Sequence, residues 1–204
     1  MEFPYLTIEN LLIDVETFTI DKKNSYHQSY PEFIRYFKEL DRIEKHHLII
    51  CTHFTYGWMP TVLKLDLTHF SEILEILNDA RRGRELTANE LDSLSKLINN
   101  SMVGVSKLLH FIQPNKYAIW DSRTFRYATG MEPHHYRLNK ADNYLAYLEA
   151  IGNVGQDVRI QSLHAKIASF FGYQISKFRA IELLMFVTDI KRNTKIPFST
   201  KVNQ

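Results

Sequence analysis

The sequence predicts an all-α fold, and three observations carry that expectation. Seven glycines and six prolines in 204 residues are too few for a turn-rich β protein. Apolar residues recur at helical spacing, as in Phe33, Ile34, Phe37, Leu40 and Ile43. Helix-opening and helix-closing residues punctuate the chain at short intervals, giving roughly nine or ten helices with short connections. No repeat, low-complexity tract or long linker interrupts it, so residues 1–204 read as one helical domain with a polar tail from residue 191 onward.

Taken in order, the first twenty-five residues are ambiguous between a short helix and extended chain. In SYPEFIRYFKELDRI, Pro31 suits the first helical position. HHLIICTHF is a short buried helical segment, and FTYGWMP is a turn broken by Gly57 and Pro60. Thr68 is placed to cap HFSEILEILNDARRG, which Gly83 ends. Thr87-Ala-Asn-Glu90 has the form of a capping box. Asn99-Asn100-Ser101 is a turn, MVGVSKLLHFI is helical until Pro114, and SRTFRYATG is helical to Gly130. Asn139 is placed to cap KADNYLAYLEAI, stopped by Gly152, and two helices, VRIQSLHAKIASFFG and SKFRAIELLMFVTDI, complete the chain.

Composition excludes several function classes. A net charge of +2 does not announce a nucleic-acid binder, so only a local basic face could serve as one. The single cysteine, Cys51, excludes an internal disulfide framework and a Cys-rich zinc site. Its neighbours LIICTHF mark it as a buried small hydrophobe. MEFPYLTIENL lacks the form of a signal peptide, and no apolar run approaches the ~20 residues of a membrane helix, so a soluble cytoplasmic protein is expected. The pairs His46-His47 and His134-His135 cannot put two rings on one helical face, and no HExxH occurs, so no metal site is expected. GxGxxG, Walker and GxSxG patterns are also missing.

What carries chemistry is the stretch 101–130. Val103-Gly104-Val105 reads as a glycine-centred turn between helices, whose N–H groups, with Ser106, would be free to hold a phosphate. The bland reading is a tight helix–helix connection. Lys107 would lie in the first turn of the following helix. Asp121 follows Ile119-Trp120 and opens the next helix, which makes it an N-cap. A cap position also fixes and ionises a carboxylate, as catalysis near a developing positive charge requires. Arg123 and Arg126 follow it, and with Lys107, Arg137, Lys140, Lys177 and Arg179 they are candidates for a shared basic face.

Together these pieces resemble the helix–hairpin–helix DNA glycosylase superfamily. Met102-Val103-Gly104-Val105-Ser106 stands where that family has Leu-Pro-Gly-Val-Gly, and Trp120-Asp121-Ser122-Arg123-Thr124-Phe125-Arg126 where it has Val-Asp-x-x-Val-x-Arg. The run SKLLHFIQPNKYAIWDSRTF is similar to a short bacterial branch of it. The resemblance implies a two-lobed helical fold with a cleft between the lobes. It implies double-stranded DNA as partner, no cofactor, and no obligate protein partner. Asp121 would be the catalytic acid, stabilising an oxocarbenium-like sugar while a base is flipped from the duplex. The hairpin at Val103, Gly104, Val105 and Ser106, with Arg123 and Arg126, would hold the DNA backbone. His53, Tyr56, Trp58 and Trp120 would shape the base pocket or wedge.

The chain departs from the family pattern in two places. Ser106 replaces the second hairpin glycine, and the position of the family's Schiff-base lysine falls on Leu108, one residue after Lys107. Lys107 and Asp121 are also closer in sequence than the family's pair. A monofunctional enzyme that leaves an abasic site is therefore favoured over a lyase using Lys107. The short bacterial branch implies phage defence against a bulky modified cytosine, and repair of an oxidised or alkylated base competes with it. The rival from another class is a non-catalytic DNA-binding or partner-binding helical protein in which Asp121 only caps.

Overall fold

A computed structural model describes residues 1–21, 23–57, 62–66 and 68–193. Among these described residues it holds eleven helices: α1 (Ile8–Val15), α2 (Ser25–Glu39), α3 (Lys45–Gly57), α4 (Phe70–Arg81), α5 (Ala88–Leu97), α6 (Met102–Ile112), α7 (Ser122–Thr129), α8 (His135–Leu138), α9 (Ala141–Gly155), α10 (Ile160–Ala168) and α11 (Lys177–Asn193). Among the described residues the β-type pairing is confined to one isolated bridge, Leu65 with Ile98. The all-α expectation holds.

Local signals account for most boundaries. Thr87 Oγ1 accepts the Glu90 N–H at 3.3 Å while Glu90 Oε2 accepts the Thr87 N–H at 2.8 Å, the reciprocal box expected at the start of α5. Gly130 closes α7 at φ 70°, a left-handed conformation that a side chain would strain. Asn99 and Asn100 turn the chain between α5 and α6 at φ 55° and 50°.

Other signals point to the wrong position. Pro31 does not open α2. That helix begins at Ser25, where Asn24 Oδ1 caps the Tyr26 N–H at 2.9 Å, and Pro31 sits inside it. Proline removes the N–H that would bond the His27 carbonyl four residues back. The Tyr173 hydroxyl donates to that carbonyl instead, at 2.8 Å. Thr68 does not cap α4 but bonds to Asp66. Asn139 does not cap α9, because its Oδ1 accepts the Met102 N–H at 3.1 Å. α9 runs through Gly152 to Gly155, and α11 continues past Ile190 to Asn193.

The helices pack in two groups that share one core. α6 lies against α2, α3, α4 and α5, while α11 lies against α1, α7, α9 and α10, and α5 meets α9 between them. Seven consecutive residues of α11, Arg179 to Met185, are buried, so this helix is covered on every side over two turns. Cys51 is sealed in the core and burial pushes its thiol pKa up, which fits an inert thiol. No described helix is long and apolar enough to cross a membrane.

Candidate active site

α7 starts where its first residue can be capped from outside. Asp121 Oδ1 accepts the Arg123 and Thr124 N–H groups at 2.9 and 3.0 Å, and Thr124 Oγ1 accepts the Asp121 N–H at 2.9 Å. The whole capping task falls on Oδ1. Among the described residues no group donates a hydrogen bond to Oδ2. Asp121 also lines a cavity of about 400 Å³ between α11, the starts of α2 and α7, and the α1–α2 connection. Lys107, Arg179 and Glu182 line the same cavity.

Ser106 brings these residues together. Buried in α6, its Oγ accepts the Trp120 N–H at 3.0 Å and lies 3.1 Å from the Trp120 carbonyl oxygen, to which its hydroxyl can donate. The next residue on each strand of this clamp is Lys107 on one side and Asp121 on the other. Burial lowers the Lys107 pKa, Asp121 and Glu182 hold it up, and Arg179 lowers it further. Burial likewise pushes the Glu182 carboxyl up to about 7, with Arg179 opposing and Asp121 assisting.

Arg179 and Glu182 pair within the protein rather than on its surface. Arg179 Nη1 lies 2.5 Å from Glu182 Oε2, and both side chains are buried. The sequence placed Arg179 only among the candidates for a shared basic face. The signal was present: two opposite charges inside the apolar run FRAIELLMF. Tyr26, His27 and Phe186, which also line the cavity, carried no such signal.

The expected phosphate hairpin is not where the sequence put it. The turn is residues 98–101, and Val103, Gly104, Val105 and Ser106 are all within α6. Their backbone donors are largely in use: Ser101 Oγ accepts from Gly104, Ser101 O from Val105, and Asn139 Oδ1 from the preceding Met102. Gly104 serves packing, since a Cβ there would lie 3.0 Å from the Tyr56 Oη and 3.2 Å from Ile98. Because α6 starts at Met102, Lys107 falls in its second turn rather than its first.

Three more assignments change. Trp120 is fully buried against Phe125 and Tyr147, with Nε1 donating to Leu138 O at 3.0 Å, so it belongs to the core and not to a base pocket. Tyr56 is buried against Gly104 and is no wedge. Arg126 is engaged with Asp189 at 3.2 Å, whereas Arg123 rests over the Phe186 ring at 5.0 Å, beside the cavity. His53 is exposed and turned back on its own helix, Nδ1 to Ile49 O at 2.7 Å. Trp58 lies outside the described residues.

Among the described residues one group could hold a metal ion. The His46 and His47 ring centroids are 3.8 Å apart, and with Glu44 their ligand atoms all lie within 4.8 Å of one another. Sequence reading ruled out such adjacent pairs on helical divergence. Here both rings sit in the first turn of α3, where the Glu44 N–H donates to His47 Nδ1 at 3.1 Å. Neither histidine lines the cavity.

Comparison of the chain with protein-family models, with curated proteins and with solved structures gives no match.

Proposed function

We propose that the protein is a DNA glycosylase of helix–hairpin–helix type that hydrolyses the N-glycosidic bond of a damaged or modified base. The observation that carries this reading is Asp121, which caps α7 with one oxygen and lines a cavity beside Lys107 with the same side chain. Grouping of the helices around α6 and around α11 is consistent with two lobes flanking a cleft. In the reaction the C1′–N bond breaks and its electron pair leaves with the base, which takes up a proton from solvent. The Asp121 carboxylate stabilises the positive sugar and accepts a proton from the water whose oxygen bonds to C1′. Lys107 acts as a neighbouring cation rather than as a nucleophile. Arg123 is the remaining candidate for a backbone contact, since Arg126 is held by Asp189.

The test is Asp121→Asn, because asparagine caps a helix about as well as aspartate. Lesion-bearing and modified duplexes, including oxidised, alkylated and glucosylated hydroxymethylcytosine substrates, should yield alkali-labile sites with the natural protein. The variant should lose at least about a hundredfold in rate with its melting temperature nearly unchanged. Borohydride should trap no covalent adduct. Full activity in the variant would remove Asp121 from the chemistry, and a trapped adduct would restore Lys107 as nucleophile.

A further inference from the structure

We infer that Arg179 is the group that reads the ligand in this cavity, by donating hydrogen bonds to a carbonyl oxygen of a neutral planar base. The inference rests on the reading of the cavity as a base pocket and narrows its substrate class to bases that carry a ring carbonyl.

The argument begins with the effort spent on holding this guanidinium. It lies 4.7 Å over the face of Tyr30. The Tyr30 hydroxyl bonds to His110 Nε2 at 2.8 Å, and His110 Nδ1 lies 2.7 Å from the Tyr117 carbonyl oxygen. A carbonyl only accepts, so Nδ1 carries the hydrogen, Nε2 is the acceptor, and the Tyr30 O–H donates to it. Burial keeps that imidazole neutral, its pKa lowered to about 3. The result is a buried stack of fixed polar groups beneath Arg179, with Glu182 fixing it from the side. Stability does not call for such a device, since a buried ion pair is often no better than apolar residues of the same volume.

Part of the guanidinium is left over. Nη1 is used by Glu182, and no described residue accepts from Nε or Nη2. Arg179 itself lines the cavity, so Nε and Nη2 are the donors it has left to offer there. They are donors only, and their ligand must present an acceptor.

Charge decides which acceptor. Among the described residues the charged side chains lining the cavity are Asp21, Asp121 and Glu182 against Lys107, Arg179 and Lys191, three acids and three bases. A phosphate entering this set would meet the Asp21 and Asp121 carboxylates and, above its pKa of about 7, that of Glu182, whereas a neutral carbonyl meets no such penalty. The rest of the lining suits a flat ring: Phe186, Tyr26 and the aliphatic Ile20, Ile119, Leu183 and Val187.

Free bases titrated into the full chain, followed by calorimetry or by chemical shift, test this directly. Uracil, cytosine, hypoxanthine and guanine carry a ring carbonyl, while adenine and purine do not. The expected result is that the best carbonyl base binds about 10- to 100-fold more tightly than adenine or purine. The paired replacement Arg179→Met with Glu182→Leu leaves no lone buried charge and should erase that gap. Arg179→Lys, which keeps the charge but not the fork, should reduce it and serves if the double variant does not fold. Adenine or purine binding as tightly as the carbonyl bases overturns the inference and leaves the glycosylase reading standing. A preference that survives loss of Arg179 also overturns it. If no base binds and no duplex yields an abasic site, the glycosylase reading fails and this inference falls with it.

Discussion

Replacing Ser106 with alanine removes the clamp between α6 and the segment that delivers Asp121. The Trp120 N–H, buried with its residue, then has no acceptor. An unsatisfied buried donor costs roughly 1–3 kcal/mol, and alanine's better helix propensity returns only a few tenths. A net loss of about 2 kcal/mol should lower the melting temperature by about 6 °C in a chain of this size. Circular dichroism melts of Ser106→Ala against the natural protein measure the shift, and base-release kinetics measure the displacement of Asp121 from Lys107. On the proposed glycosylase reading the catalytic rate should fall while DNA affinity is kept, because Ser106 is buried in α6 and acts by placing the acid. A phosphate contact at Ser106 predicts the reverse: weaker DNA binding at an unchanged melting temperature. A shift below about 1 °C would refute the clamp argument.

Acid should destabilise the protein through His110. Its folded pKa of about 3 lies below the ordinary 6.5, so the unfolded chain binds the extra proton first. Stability is complete above pH 6.5 and declines as the pH falls from there toward 3, at up to about 1.4 kcal/mol per pH unit from this group. Melts of His110→Gln at pH 7 and 5 should show a smaller difference than the natural protein, and an equal difference would count against this assignment. The two arginines of α7 should separate. Arg126→Ala takes the paired cation from Oδ2 of the buried Asp189 carboxylate, whose Oδ1 keeps the Asn193 amide, and should cost roughly 1–3 kcal/mol of stability. Arg123→Ala should leave the melting temperature alone and flatten the salt dependence of DNA binding by about one unit of slope, measured by anisotropy across a salt series.

The parts of this fold legible in the sequence are those with local causes. Thr87 and Glu90 cap α5, Asp121 caps α7, and Gly83 and Gly130 close helices, because each acts on backbone groups within a few residues. The misplaced elements have distant causes. Pro31 is tolerated inside α2 because Tyr173, far along the chain, satisfies the carbonyl it orphans. Asn139 is drawn from its own helix to the start of α6. Gly104 looked like a phosphate turn because glycine marks turns and close contacts alike, and only the position of Tyr56 distinguishes them. For the site, Asp121 and Lys107 were legible as candidates and do line one cavity. Arg179 and Glu182 were visible as charges on an apolar helix, but their burial depends on the helices packed around α11.

The bridge from Ser106 to Trp120 separates chain length from site geometry. Lys107 and Asp121 are held by a cross-link one residue upstream of each, so the number of residues between them is not what sets their distance. Asn115 and Lys116, at the exposed apex of that excursion, are free to lengthen or change without moving either group. Loop length here is a coordinate on which the site geometry does not depend. A longer or shorter spacer would leave the same two side chains on one cavity, so their separation in sequence is a poor guide to their separation in space.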